Sequence, residues 1–162
     1  MKLLRVIRFD QSDDHVFSPA AKADEWAVSG AVVFRGIEQE AIAGKVRQTF
    51  ANGFLGVPSM GRSTFASVAE IDEEQAEVVT MVLARGFIET FGAPSLDEAL
   101  AAARDEVAFA AGLAGDKPIN TVFTVRRVLD EGGEIREEYR EIAPPTGEPL
   151  HTRIWDVADD GS

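Results

Sequence analysis

Cysteine is absent from this 162-residue chain. Its absence excludes disulfides, thiolate zinc centres, iron–sulfur clusters and a cysteine nucleophile, and it fits a reducing compartment. Histidine is scarce, with only His15 and His151. With Asp10, Asp13 and Asp14 they supply donor atoms for a metal, but Asp10 to His15 lacks the ligand spacing of an EF-hand loop. Neither a metal nor a cofactor is expected. No apolar run approaches the ~18 residues of a membrane-spanning helix. The N-terminal run is broken by Arg5 and Arg8 with no small-residue cleavage site after it, so no secretory signal is expected. A soluble, cytoplasmic protein without membrane attachment is the reading that remains.

Positive charge is also in short supply. Sixteen Lys and Arg face 28 Asp and Glu, for a net charge of −12. Nucleic-acid binding needs basic side chains to displace counterions, so no nucleic-acid partner is expected. The acidity is uneven: from Asp72 to Asp116 ten acids face Arg85 and Arg104, a net of −8. Such a stretch is a solvated helix face or a docking surface for a basic partner.

Charge of either sign is nearly missing from residues 48–69. Arg62 is the one charged side chain there, where the overall 27% would place about six. The same stretch holds Gly53, Gly56, Gly61, Pro58 and the phenylalanines 50, 54 and 65. A segment of this kind is costly to leave in water, which points to burial or use.

The length suits a single domain spanning 1–162, with 158–162 a frayed tail. Residues 3–9 and 26–34 read as strands, joined by a polar loop. Residues 37–51 carry Ile37, Ala41, Ile42, Val46 and Phe50 at near-helical spacing, with a strand over 45–51 as the competitor. Asn52 and Gly53 suggest a left-handed C-terminal cap. Residues 52–65 read as a glycine-rich loop and 63–71 as a strand. Asp72 opens a capping box with Gln75, followed by Val79, Leu83, Phe87 and Phe91 on one helical face up to Gly92. Ser95 opens a second box with Glu98, and the apolar face of that helix runs to Gly115. Residues 119–129 and 134–142 form a hairpin across Asp-Glu-Gly-Gly, in which Arg126 and Arg127 face Glu137 and Glu138. A turn over 143–149 and a strand over 150–157 follow. The order β-β-α-β-α-α-β-β-β predicts an α+β fold: a mostly antiparallel sheet with two or three helices packed on one face.

Gly56 to Ser63 matches the spacing of a phosphate-binding loop, with arginine in place of lysine. The context is reversed, however, because a helix leads in and a strand follows, and Pro58 removes an amide from the cradle. A softer version keeps Asn52, Gly56, Ser59, Gly61, Arg62, Ser63 and Thr64 as candidate residues for a phosphate or carboxylate, since a guanidinium suits planar anions. The alternative is a tight connection whose glycines allow packing and whose phenylalanines fill the core. Ser59 lies in V-P-S-M-G, which lacks the first glycine of a nucleophile elbow. The carboxylate pairs Asp13/Asp14, Glu73/Glu74, Asp105/Glu106 and Glu137/Glu138 read as solvated. Trp26 and Trp155 suit a core or sheet face. The arginines at 5, 8, 126, 127, 136, 140 and 153 all fall on predicted strands, which suggests an outward basic sheet face suited to pairing with a second subunit.

The segments RVIRFD, EWAVSGAVVF, GKVRQTFANGFLG and GRSTF resemble those of a small bacterial family of uncharacterised proteins. The resemblance covers most of the chain. It implies a complete single-domain protein and brings no activity, cofactor or catalytic residue with it. Two functions are therefore in view. One is an accessory or protein-interaction domain, self-associating or bound to a protein partner and without a catalytic site. The other is a small-anion binder or enzyme built on the 52–65 loop.

Overall fold

A computed structural model describes residues 1–142; the turn predicted at 143–149, the strand at 150–157, the tail, and His151, Arg153 and Trp155 lie outside them. The described chain forms one seven-stranded antiparallel sheet and four α-helices, an α+β fold. The strands are β1 (Lys2–Ile7), β2 (Trp26–Val28), β3 (Phe54–Val57), β4 (Arg62–Ser63), β5 (Phe65–Glu70), β6 (Val122–Leu129) and β7 (Ile135–Ile142). Their spatial order is β4-β3-β2-β1-β5-β6-β7. The helices are α1 (Ser12–Val16), α2 (Gly44–Asn52), α3 (Glu73–Glu89) and α4 (Leu96–Gly115).

The two long helices start where their capping residues dictate. Asp72 accepts the Gln75 amide at 2.7 Å and Ser95 accepts the Glu98 amide at 3.2 Å, each satisfying an otherwise orphaned N–H. The pair packs together, and α4 lies along β1 and β2. Its inward alanines, 99, 103, 110 and 114, belong to the buried core and let the helix approach the sheet closely. The hairpin register is the expected one, Arg126 opposite Glu138 and Arg127 opposite Glu137. Alternation then turns Phe123, Val125 and Arg127 inward and leaves Arg126 and Val128 exposed.

Five local readings change, the first being the polar loop after the first strand, which contains α1. The strand predicted over 26–34 stops at Val28 because Gly30 adopts φ +75°, and a 3₁₀ turn follows over Ala31–Phe34. Only glycine fits there, since an added Cβ would lie 2.5 Å from the Leu55 Cβ. The helix predicted from 37 begins at Gly44, after a short 3₁₀ turn over Gln39–Ala41. Gly53 caps it in extended rather than left-handed geometry, at φ −97°, because the chain runs directly into β3. The 52–65 segment is not a loop: its middle is the β3–β4 hairpin, which supplies buried strand residues.

Edge strand β4 is covered. Its Arg62 amide donates to the Pro19 carbonyl at 3.1 Å and its carbonyl accepts from the Ala21 amide at 2.8 Å. Gly61 permits this, because a Cβ there would meet the Ala20 backbone at 2.6 Å.

The sheet also curls. Arg127 on β6 bonds the carbonyls of Ser29, just past β2, and Gly53, just before β3. In a flat sheet β2 would stand three strand spacings from β6, or about 14 Å, beyond the reach of one side chain. Closing that gap brings β6, β7, α4 and the Ser29–Phe34 segment around one polar centre.

Candidate functional site

Two arginines meet at the C-terminal end of α2, a helix with no basic residue in its own last turn. Arg127 is fully buried. Its Nη1 donates to the carbonyls of Phe50 at 3.0 Å and Gly53 at 2.9 Å, its Nη2 to Ser29, and its Nε to Glu137 at 2.7 Å. Arg62 enters from β4, donating to Gly53 at 3.0 Å, Gly30 at 3.2 Å and Ser29 at 3.4 Å, with its guanidinium 4.9 Å from the centre of the Phe34 ring. The carbonyls at a helix C-terminus carry partial negative charge, so cations there are favourable. Burial and the nearby Arg127 push Arg62 down to about 9, against the pull of Glu106. It is charged at neutral pH.

Two carboxylates balance them. Glu106 projects from α4 and accepts the amides of Gly30 at 3.0 Å and Val32 at 3.4 Å, taking donors that the interrupted β2 strand leaves free. Burial raises its carboxyl above the ordinary glutamate range, and the two amides oppose that shift. Glu137 accepts from Arg127 and, at 2.6 Å, from the Ser29 hydroxyl. Ser29 thus joins both arginines to Glu137. Beside it, Tyr139 packs between Phe54 and Phe109. Its buried hydroxyl has no hydrogen-bond partner among the described residues, and burial pushes the phenol well up.

The residues singled out from the sequence around 52–65 lie on three sides of the β3–β4 hairpin. Ser59 is at its tip, where its amide and hydroxyl both bond Glu25, at 3.2 and 2.8 Å. Thr64 faces the other way, its amide and hydroxyl on Asp13 at 3.2 and 2.7 Å. Arg62 points inward, and the Ser63 hydroxyl bonds the Phe65 carbonyl at 3.1 Å. Gly56 and Gly61 are buried strand and turn positions, and Asn52 ends α2. The protein's own carboxylates, at Ser59 and Thr64, and its own carbonyls, at Arg62 and Ser63, therefore occupy the donors that an external anion would use.

Sequence reasoning passed over Ser29, Glu106, Glu137 and Tyr139 as site residues. A signal existed for Glu106: it falls three residues after Ala103 and four before Ala110, on the apolar row of α4. Its neighbour Asp105 is exposed, as is Glu138 beside Glu137.

The fold and this centre define an α+β domain with an internally neutralised polar core. The chain belongs to the family of unknown function DUF6505, whose model matches residues 1–154. No curated protein and no solved structure matches it. Among the described residues no helix is long and apolar enough to cross a membrane.

Proposed function

We propose that the chain is a cytoplasmic accessory or protein-interaction domain, without a catalytic site of its own and without nucleic acid as a partner. The observation that carries this reading is the outer corner of the helical layer. Phe91 and Leu96, on either side of the α3–α4 turn, are 41% and 53% exposed, and Val78 and Met81 on α3 are open as well. Phe91 and Leu96 make an exposed apolar corner, with Val78 and Met81 farther back along α3, and such surface favours contact with a partner, while the buried charges already have partners inside the fold. The surface would take a second copy of the chain or another protein. A photo-crosslinking amino acid placed at Phe91 in cells tests this. Discrete protein adducts are expected from position 91 and not from a control at Glu73. Equal labelling from both positions, or none from either, sinks the reading.

A second reading keeps a small anion at the hairpin, supported by the carboxylates of Glu25 and Asp13 already held by Ser59 and Thr64. An external phosphate or carboxylate would have to replace Glu25. Thermal shifts with a panel of phosphorylated and carboxylate metabolites should then be larger in Glu25→Gln than in the wild type and vanish in Ser59→Ala. Arg62→Ala serves as the control for general destabilisation. Equal shifts in all variants reject this site.

A further inference from the structure

We infer that the groove around the Ala31–Phe34 turn docks a short extended segment of a partner protein that carries an apolar side chain toward one end and lysine or arginine toward the other. This rests on the interaction reading and supplies the chemistry of the partner.

Three adjoining hollows make the groove, and all have Val32 and Arg35 in their walls. The first, about 220 Å³, lies against the α3–α4 corner and is lined by Phe87, Phe91, Pro94 and Ala99. The second, about 300 Å³, lies between α4 and β7, with Phe109 as an apolar wall and Asp105, Glu106 and Glu137 as acids. The third, about 420 Å³, opens toward the β6–β7 turn and adds Glu134. One end is therefore mainly apolar, with Glu98 also on its wall, and the other is acidic. Among the described residues lining them, Arg35 is the only basic side chain. Glu106 and Glu137 already have internal partners, whereas Asp105 and Glu134 are exposed on the rim.

The separation of the two ends decides between a free amine and a peptide. Ala99 and Phe109 are ten residues apart on α4, about 15 Å at the helical rise. A small amine would fill the acidic end alone. An extended chain at about 3.3 Å per residue covers the distance with roughly five residues, placing an apolar side chain at one end and a cation at the other. Basic charge on the partner complements the net −8 of residues 72–116.

The probe is a fluorescein-labelled octapeptide alternating leucine and lysine, titrated with the full-length protein at 0.15 M NaCl and read by anisotropy. Binding is expected, with little for the leucine–glutamate counterpart. The double variant Asp105→Lys, Glu134→Lys should weaken it at least tenfold, and Phe91→Ser at least threefold. Glu73→Lys with Glu74→Lys changes net charge equally, but lies about 20 Å up α3 from Phe87, and should alter affinity less than twofold. Equal weakening by the two double variants would reduce the effect to general charge attraction and overturn the inference. An unchanged affinity in Phe91→Ser, or full displacement by millimolar n-butylamine, would overturn it too. If position 91 crosslinks to a protein but the lysine peptide does not bind, the interaction reading stands and this groove chemistry falls. If the peptide binds and no adduct forms, the interaction reading is the one that fails.

Discussion

Arg127 serves three elements at once through a planar fork: the end of α2, the break after β2, and Glu137 on its own hairpin. Removing it takes the cationic partner from Glu137 and the side-chain donor from the Phe50 carbonyl, while Arg62 and the Ser29 hydroxyl keep the remaining contacts, so Arg127→Ala should cost about 3–5 kcal/mol in urea unfolding. Arg127→Lys keeps the charge but loses the fork and should recover less than half of that. Arg136, which pairs with Asp130 at the surface, provides the contrast, with Arg136→Ala within about 0.5 kcal/mol. Tyr139→Phe removes a hydroxyl that bonds to nothing in the described residues and should be equally mild, since no partner is orphaned. Glu106 makes a prediction in pH. Its folded-state pKa is raised by burial, so the folded protein holds that proton more tightly than the unfolded chain does. The resulting stability is complete below the ordinary glutamate value of about 4.3, and it is lost as pH rises through the raised folded value. Glu106→Gln should flatten that decline in the unfolding midpoint; an unchanged slope would remove Glu106 as its source. Arg127 and Glu137 were legible as a cross-strand pair because hairpin register follows from the turn. Their burial was not, because which face of a hairpin turns inward depends on the curl of the whole sheet.

At the level of elements, the helices were the easier part to read. Asp72 and Ser95 are local signals that act on amides three residues away, and both helices start where those residues stand. Replacing either cap by alanine should cost about 1 kcal/mol, measured as a shift in urea midpoint at unchanged slope; no shift would mean the first turn is held by packing alone. The strands were harder. Trp26 to Phe34 alternates plausibly throughout, yet β2 ends at Val28 because the next donors turn to Glu106, 76 positions along the chain from Gly30. The β3–β4 hairpin was hidden for the same reason. Its glycines suggest a loop, while the packing of Ala20 against Gly61 that explains one of them is a tertiary contact. The candidate site shared this fate: the composition of 48–69 marked the segment correctly as unusual, and that composition is satisfied by burial against Asp13, Glu25 and the end of α2.

For the molecule as a whole, acidity is the dominant electrostatic fact. A net charge of −12 on a chain of this size opposes compaction through self-repulsion. Moderate salt should therefore stabilise it: the melting temperature is expected to rise between 10 and 300 mM NaCl, roughly where the Debye length falls below the spacing of surface charges. A fall instead would show that surface ion pairs such as Arg8 with Asp14 outweigh the repulsion. The covered β4 strand has a consequence at the same scale. A sheet with two open margins can recruit neighbours on both sides and run on as a ribbon. Here the Pro19–Ala21 segment occupies the hydrogen-bonding groups of one margin, so among the described strands β7 is the only flank left for strand addition. A strand arriving at the β4 margin would first have to displace that segment, so the described fold closes this side of the sheet to extension.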